Sequence, residues 1–110
     1  MQVFKLKDMF KGWFVGDFEP TTYKSDQFEV CYRVHPKGEE WGWHYHKEIV
    51  EINLLVSGKM VLQGKTLSSG DIFVLRPYEM ADPSFLEDCA IVCIKTPSIP
   101  GDKHLINKGK

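Results

Sequence analysis

The sequence predicts an all-β chain closed into a barrel or jelly roll, and three observations carry that expectation. Short alternating or apolar runs are separated by Gly, Pro and Ser turn signals at spacings of about 8 to 12 residues. No stretch sustains a helical period for about three turns. Some ten strands in 110 residues would leave many unpaired edges in an open sheet, and closure or double layering hides them.

Each element follows from local pattern. Phe28, Val30, Tyr32 and Val34 alternate with Glu29, Cys31, Arg33 and His35, the apolar-in, polar-out pattern of a half-buried strand, ended by His35-Pro36-Lys37-Gly38. Residues 49 to 57 form a second strand, which Ser57-Gly58 turns into Lys59 to Gln63. Gly64-Lys65 makes a hairpin turn into Thr66-Leu67, Ser69-Gly70 ends that strand, and Asp71 to Arg76 runs on to Pro77. After an irregular segment from Pro77 to Asp88, the apolar run Cys89 to Lys95 reads as a strand covered on both faces. Pro97 and Pro100 break it, and residues 98 to 110 read as a tail, with a docked strand through His104-Leu105-Ile106 as the alternative.

Composition narrows the function. Fourteen Lys and Arg face fifteen Asp and Glu, a formal charge of -1, so the chain lacks the basic excess that draws proteins to nucleic acid or anionic membranes. No apolar run is long enough to span a bilayer, and residues 1 to 7 have neither the apolar stretch nor the cleavage site of a signal peptide. The expectation is a soluble, cytoplasmic, single-domain protein. Cys31, Cys89 and Cys93 are odd in number and sit inside β-like runs, as core thiols of a reducing compartment do.

The segment Trp41 to Glu51 concentrates the chemistry. Along a strand, His44 and His46 point the same way, Trp43 and Tyr45 the other, so the two imidazoles are placed to chelate one ion. Lys47-Glu48 offers a turn, after which Glu51 returns across from the histidine pair. Two imidazoles and a carboxylate are donors used by divalent iron, manganese, nickel or zinc.

Gly38, five residues, His44-x-His46, four residues, Glu51, six residues and Gly58 match all five fixed positions of the first cupin motif, so the chain resembles the cupin superfamily over roughly residues 28 to 95. The resemblance implies a double-stranded β-helix with a divalent metal inside, held by His44, His46 and Glu51. It also implies a small-molecule ligand and a homodimer, while the charge balance leaves no nucleic-acid or membrane partner expected. The second motif departs from the pattern: six residues separate Gly70 from Pro77, Glu79 stands where glycine is expected, Asp82 where the third histidine is expected, and Leu86 where asparagine is expected. Asp82 therefore enters as a fourth ligand, or with Glu51 as a catalytic acid or base, or as a turn aspartate bonded to its own backbone.

Further residues stand as substrate contacts. Asn53 shares strand parity with Glu51; Trp41, Trp43 and Tyr45 offer a sugar-stacking or substrate wall, or pack in the core, at the mouth or on a dimer surface; Arg33 and Arg76 are the two arginines, each able to clamp a carboxylate or phosphate. Arg76 shares parity with Ile72 and Val74, against Phe73 and Leu75, and pattern alone does not fix which set faces inward. His35 and His104 have no spacing partner and read as surface histidines. Two functions compete: a metal-dependent lyase, isomerase or dioxygenase acting on a sugar derivative or organic acid, and a non-catalytic module that binds such a molecule.

Overall fold

The computed structural model describes residues 1–105, and the sheet architecture accounts for nearly all of the regular structure. A single 3-10 turn, Leu6–Asp8, precedes eleven strands: β1 Trp13–Gly16, β2 Tyr23–Lys24, β3 Glu29–His35, β4 His44–Tyr45, β5 Val50–Ser57, β6 Lys59–Leu62, β7 Lys65–Ser68, β8 Ile72–Leu75, β9 Ser84–Phe85, β10 Cys89–Thr96 and β11 His104–Leu105. They form a six-stranded sheet in the order β2-β1-β3-β10-β5-β8, a three-stranded sheet β7-β6-β9 and a two-stranded sheet β11-β4. Among the described residues no helix is long and apolar enough to cross a membrane.

The β6-β7 turn falls one residue earlier than the expected Gly64-Lys65, on Gln63-Gly64, and Lys65 opens β7 opposite Leu62. Gln63 and Gly64 both have positive φ, at 50° and 76°, the geometry a tight β6-β7 turn needs. Gly58 links β5 to β6 at φ 101°; a Cβ there would collide with the Asp88 carbonyl oxygen and sit 2.8 Å from Cys89 Cα, so this position takes no side chain. The buried cluster that joins the two larger sheets is Leu55, Met60, Leu62, Leu75, Ala81, Phe85, Cys89 and Ile91.

Alternation in β3 runs opposite to the expectation. Glu29, Cys31 and His35 are buried, whereas Val34 is 55% exposed. The barrel interior is where polar chemistry collects, so the polar set of this strand turns inward and the apolar set lies on the outer face. The same rule settles β8: Phe73 and Leu75 face in, while Ile72 and Val74 are exposed. Strand β10 lies mid-sheet, paired along its length with β3 and β5. Its covering is unequal: Cys89, Ile91 and Cys93 are buried, but Val92 and Ile94 are only half-buried, so it is not covered equally on both faces.

The C-terminal segment takes the docked alternative. His104 and Leu105 pair with Tyr45 and His44, making β11 the partner of the histidine strand, and Ile106 lies outside the described residues. Just before it, buried Asp102 accepts hydrogen bonds from the backbone N–H groups of Lys47, Glu48 and Ile49 at 3.0–3.2 Å. These three donors belong to the turn after the histidine strand, so Asp102 fixes how that strand passes into β5.

Candidate functional site

A cavity of about 240 Å³ opens into the barrel. Its lining comes from side chains remote in sequence: His44 and His46 from the histidine strand, Glu51 and Asn53 from β5, Cys31, Arg33 and His35 from β3, and Cys93 and Lys95 from β10. Register explains the convergence. In antiparallel pairs, directly opposed residues share a face, and Lys95 opposes Glu51 while Cys93 opposes both Asn53 and Cys31.

His44 and His46 are both buried, their ring centroids 5.7 Å apart at 81°. His44 Nδ1 lies 3.4 Å from the Gly42 carbonyl oxygen. His46 Nε2 and Asn53 Nδ2 are buried with no hydrogen-bond partner, and both residues line the cavity. Unpaired buried polar atoms cost stability, on the order of 1–3 kcal/mol each, unless something bonds to them. Burial, and then the Lys95 charge, hold the His46 imidazole down to about 4; burial likewise lowers His44. Both rings are neutral near pH 7, the state in which an imidazole nitrogen is a metal ligand or hydrogen-bond acceptor.

Glu51 is the carboxylate of this group. Its Oε1 accepts from the Cys93 thiol at 3.3 Å. Cys93 is a free thiol hydrogen-bonded to Cys31, and that contact, burial and the Glu51 charge drive its pKa far upward, so it stays a protonated donor. The hydrogen bond with Cys93 lowers Cys31 instead, against burial, with Arg33 and Lys95 adding to the effect.

Donor chemistry at this end suits a divalent ion: two neutral imidazoles, one of them with an orphaned nitrogen, and a carboxylate share one cavity. Among the described residues no three His, Cys, Asp or Glu side chains already surround a common point, and the Glu51 carboxylate is engaged by the Cys93 thiol.

Four of the residues singled out in the sequence lie elsewhere. Asp82 is half-buried and does not line the cavity; its neighbours Ala81 and Pro83 do, because strand parity turns them inward and Asp82 away. Arg76 is exposed, one residue past inward-facing Leu75. Tyr45 stacks outside the cavity between Tyr78 and His104, at 5.8 and 5.3 Å, and Trp43 shares its parity and is likewise absent from the lining.

Two lining residues carry more than the sequence suggested. His35 is a buried residue rather than a surface one: its ring stacks on Phe85 at 4.8 Å and its Nδ1 lies 2.6 Å from Glu39 Oε2. Trp41 Nε1–H donates to the same oxygen at 2.7 Å, so Glu39 fixes both rings at the wall. Burial would raise the Glu39 carboxyl, but these two contacts hold it below its ordinary range. The signal for His35 was present, since it shares parity with Cys31 and Arg33 and a polar interior turns that set inward. His104 is half-buried, its Nε2 3.0 Å from Asp102 Oδ1.

No family model and no curated protein matches the chain. Solved structures do. The chain resembles a conserved double-stranded β-helix protein from Klebsiella pneumoniae at TM-score 0.70 and 17% identity, over 97% of this chain and 93% of that one. It resembles the DMSP lyase DddQ from Ruegeria pomeroyi at TM-score 0.72 and 15% identity, over 89% of this chain but about half, 52%, of that one. An RmlC-like cupin from Shewanella frigidimarina matches at TM-score 0.59 and 18% identity, over 68% of this chain and 70% of that one. At these identities the likeness is one of fold.

Proposed function

We propose, from the premise that this chain is a small protein of the cupin fold, that its barrel encloses a small polar molecule beside a divalent metal ion held by His44, His46 and Glu51. The observation that carries this reading is the pair of orphaned buried atoms, His46 Nε2 and Asn53 Nδ2, in the same cavity. Such atoms are a ligand's missing partners, and the amide of Asn53 orients an oxygen of the enclosed molecule. The metal is iron, manganese, nickel or zinc, and when bound it supplies Lewis-acid polarisation of a ligand oxygen.

The chemistry assigned to the chain's own residues is of the lyase, isomerase or dioxygenase type on a sugar derivative or organic acid. Glu51 is the group that takes or returns a proton, with Cys93 hydrogen-bonded to its Oε1. Apolar side chains of Leu62, Phe73 and Phe85 exclude water on the facing wall. The lyase named among the fold's likenesses supports the reaction class only as an analogy of architecture.

The second reading is a non-catalytic binding module, favoured by Ala81: the residue bridged to His44 brings no donor side chain to the metal end. Elemental analysis of the purified protein, paired with thermal unfolding with and without chelator, tests the first reading. A bound divalent ion near one per chain, lost in His46→Ala, is expected. Preparations without metal whose melting temperature ignores chelator and added ion sink the metal-dependent form and leave the binding module.

A further inference from the structure

Among the described residues the mouth of the cavity carries four cationic side chains, Lys11, Arg33, Lys95 and Lys103, and Glu51 is the one carboxylate of those residues that lines it. They arrive from four separate segments of a chain whose overall formal charge is -1, so the concentration is a product of folding and not of composition. Among the described residues, none of the four forms a salt bridge with a carboxylate. Glu29 opposes Lys95 across the sheet, but its Oε2 accepts from Ser98 Oγ at 2.7 Å and it does not line the cavity.

Three of the cations are held by aromatic faces instead, Lys11 over Phe10 at 5.3 Å and the other two over tryptophans of the lining. Lys95 Nζ lies 4.9 Å from the Trp13 ring centroid and Lys103 Nζ 4.6 Å from that of Trp41, and all four residues line the cavity. Such contacts position an ammonium without neutralising it. Lys11 and Arg33 meet at Gly12, where a Cβ would sit 2.9 Å from Arg33 Cγ and collide with the Tyr32 carbonyl oxygen; φ there is 84°. The glycine is what lets the chain before β1 approach the arginine. Burial, and then the charges of Lys95, Arg33 and Lys11 against Glu51, hold the Lys103 ammonium below its ordinary range, as expected of like charges gathered around one opening.

We propose that the enclosed molecule is a small organic anion, its carboxylate or phosphate held by Lys95, Lys103 and Arg33 at the mouth while its polar remainder reaches Asn53 and the histidine pair. This rests on the enclosed-ligand reading above and adds to it the charge of the ligand. Clustered cations without carboxylate partners beside low-dielectric walls raise the local concentration of an anion. The planar guanidinium of Arg33 adds a two-point contact with either headgroup.

The test is calorimetric titration of chelator-treated, dialysed protein with glucuronate, malonate and inorganic phosphate, with glucose as the neutral control, at low and at high ionic strength. Glucuronate is expected to bind at least about tenfold more tightly than glucose. Its affinity is expected to fall with salt and by a further factor of about ten in Lys103→Glu, a change at an exposed position. Lys95→Met, with folding checked by circular dichroism, is expected to have the same effect. Malonate against phosphate identifies the headgroup. Glucose binding as tightly as glucuronate sinks the anion assignment while keeping the enclosed-ligand reading; so does anion binding indifferent to both lysine variants. Binding of none of the anions overturns the proposal. Because the protein is metal-free throughout, a failure of the metal reading leaves this outcome unchanged.

Discussion

The backbones of His44 and Ala81 bond to each other in both directions: His44 N–H donates to the Ala81 carbonyl at 3.1 Å, and Ala81 N–H donates to the His44 carbonyl at 2.9 Å. Tyr78 N–H likewise donates to the His46 carbonyl at 2.7 Å, so residues 78 to 81 run alongside the histidine strand. The inward side chain beside His44 is thus the methyl group of Ala81, and Asp82 is turned away.

Introducing an imidazole at that inward position should complete a donor set that the second half of the barrel lacks. Ala81→His is expected to tighten divalent metal binding about tenfold or more, measured by competition with a chromophoric chelator. Asp82→Ala is expected to leave affinity unchanged. A large loss in the aspartate variant would show that Asp82 reaches the ion after all.

Asp102 should be a disproportionate contributor to stability for an acidic residue so near the end of the described chain. Its carboxylate takes three backbone N–H groups of the 47–49 turn and the His104 ring. Asp102→Ala leaves those donors short of an acceptor and is expected to cost about 3 kcal/mol, read from urea unfolding. Asp102→Asn, which keeps one carbonyl acceptor, should recover part of it. An alanine variant as stable as the parent would show that water replaces the carboxylate without cost.

Acid should destabilise the metal-free protein earlier than its carboxylates alone would. Burial lowers His35, His44 and His46, the last to about 4, from an ordinary value of 6.5. Between those values the unfolded chain holds protons on these histidines that the folded chain excludes, so stability is fully present above pH 6.5 and is lost as pH falls toward 4. Asp102 extends the loss: burial would raise it, but its N–H donors and His104 keep it below 3.8, so its contribution disappears as pH drops through that lowered value. Urea midpoints measured across this range should decline below pH 6.5, and His46→Gln should flatten the decline. A midpoint unchanged down to pH 4.5 would contradict the burial of these rings.

The outer face of the large sheet is apolar where a solvated face would be polar. Ile72, Leu54, Val92 and Tyr32 form one cross-strand row, and Val74, Ile52, Ile94 and Val30 the next. Ile72 is 67% exposed, and Leu54 and Val74 are also open to solvent. A patch of this kind is suited to an interface, and the occupant the cupin resemblance implies is a second copy of the chain. Light scattering should give a dimer, and Ile72→Lys with Leu54→Lys a folded monomer. A parent protein that stays monomeric on concentration rules the dimer out.

Much of the site was legible because strand parity is rigid: with His44 inward, His46 follows, and with Glu51 inward, Asn53 does. What parity does not supply is a sign. In β3 the apolar set was expected inside and in β8 neither set could be chosen, and only the assembled barrel shows that the interior takes Cys31, Arg33 and His35 in one strand and Phe73 and Leu75 in the other. Asp82 was misplaced for a different reason. One additional residue between Gly70 and Pro77 breaks the motif's count, and a single-residue slip moves a side chain to the opposite face. The cationic mouth was not legible at all, since Lys11, Arg33, Lys95 and Lys103 share no spacing and meet only when the sheet closes.

Strand β10 is the spine of the large sheet, bonded on one side to β3 and on the other to β5, yet it comes next to last among the strands of the described residues. During synthesis β3 and β5 are therefore made, with apolar outer faces and open edges, well before the strand that joins them exists. The sheet cannot close until the ribosome has released residues through Thr96, and the clamp that Asp102 places on the histidine turn comes later still. For a chain of this order the vulnerable interval is the growing polypeptide itself, when two unjoined sticky strands await their common neighbour.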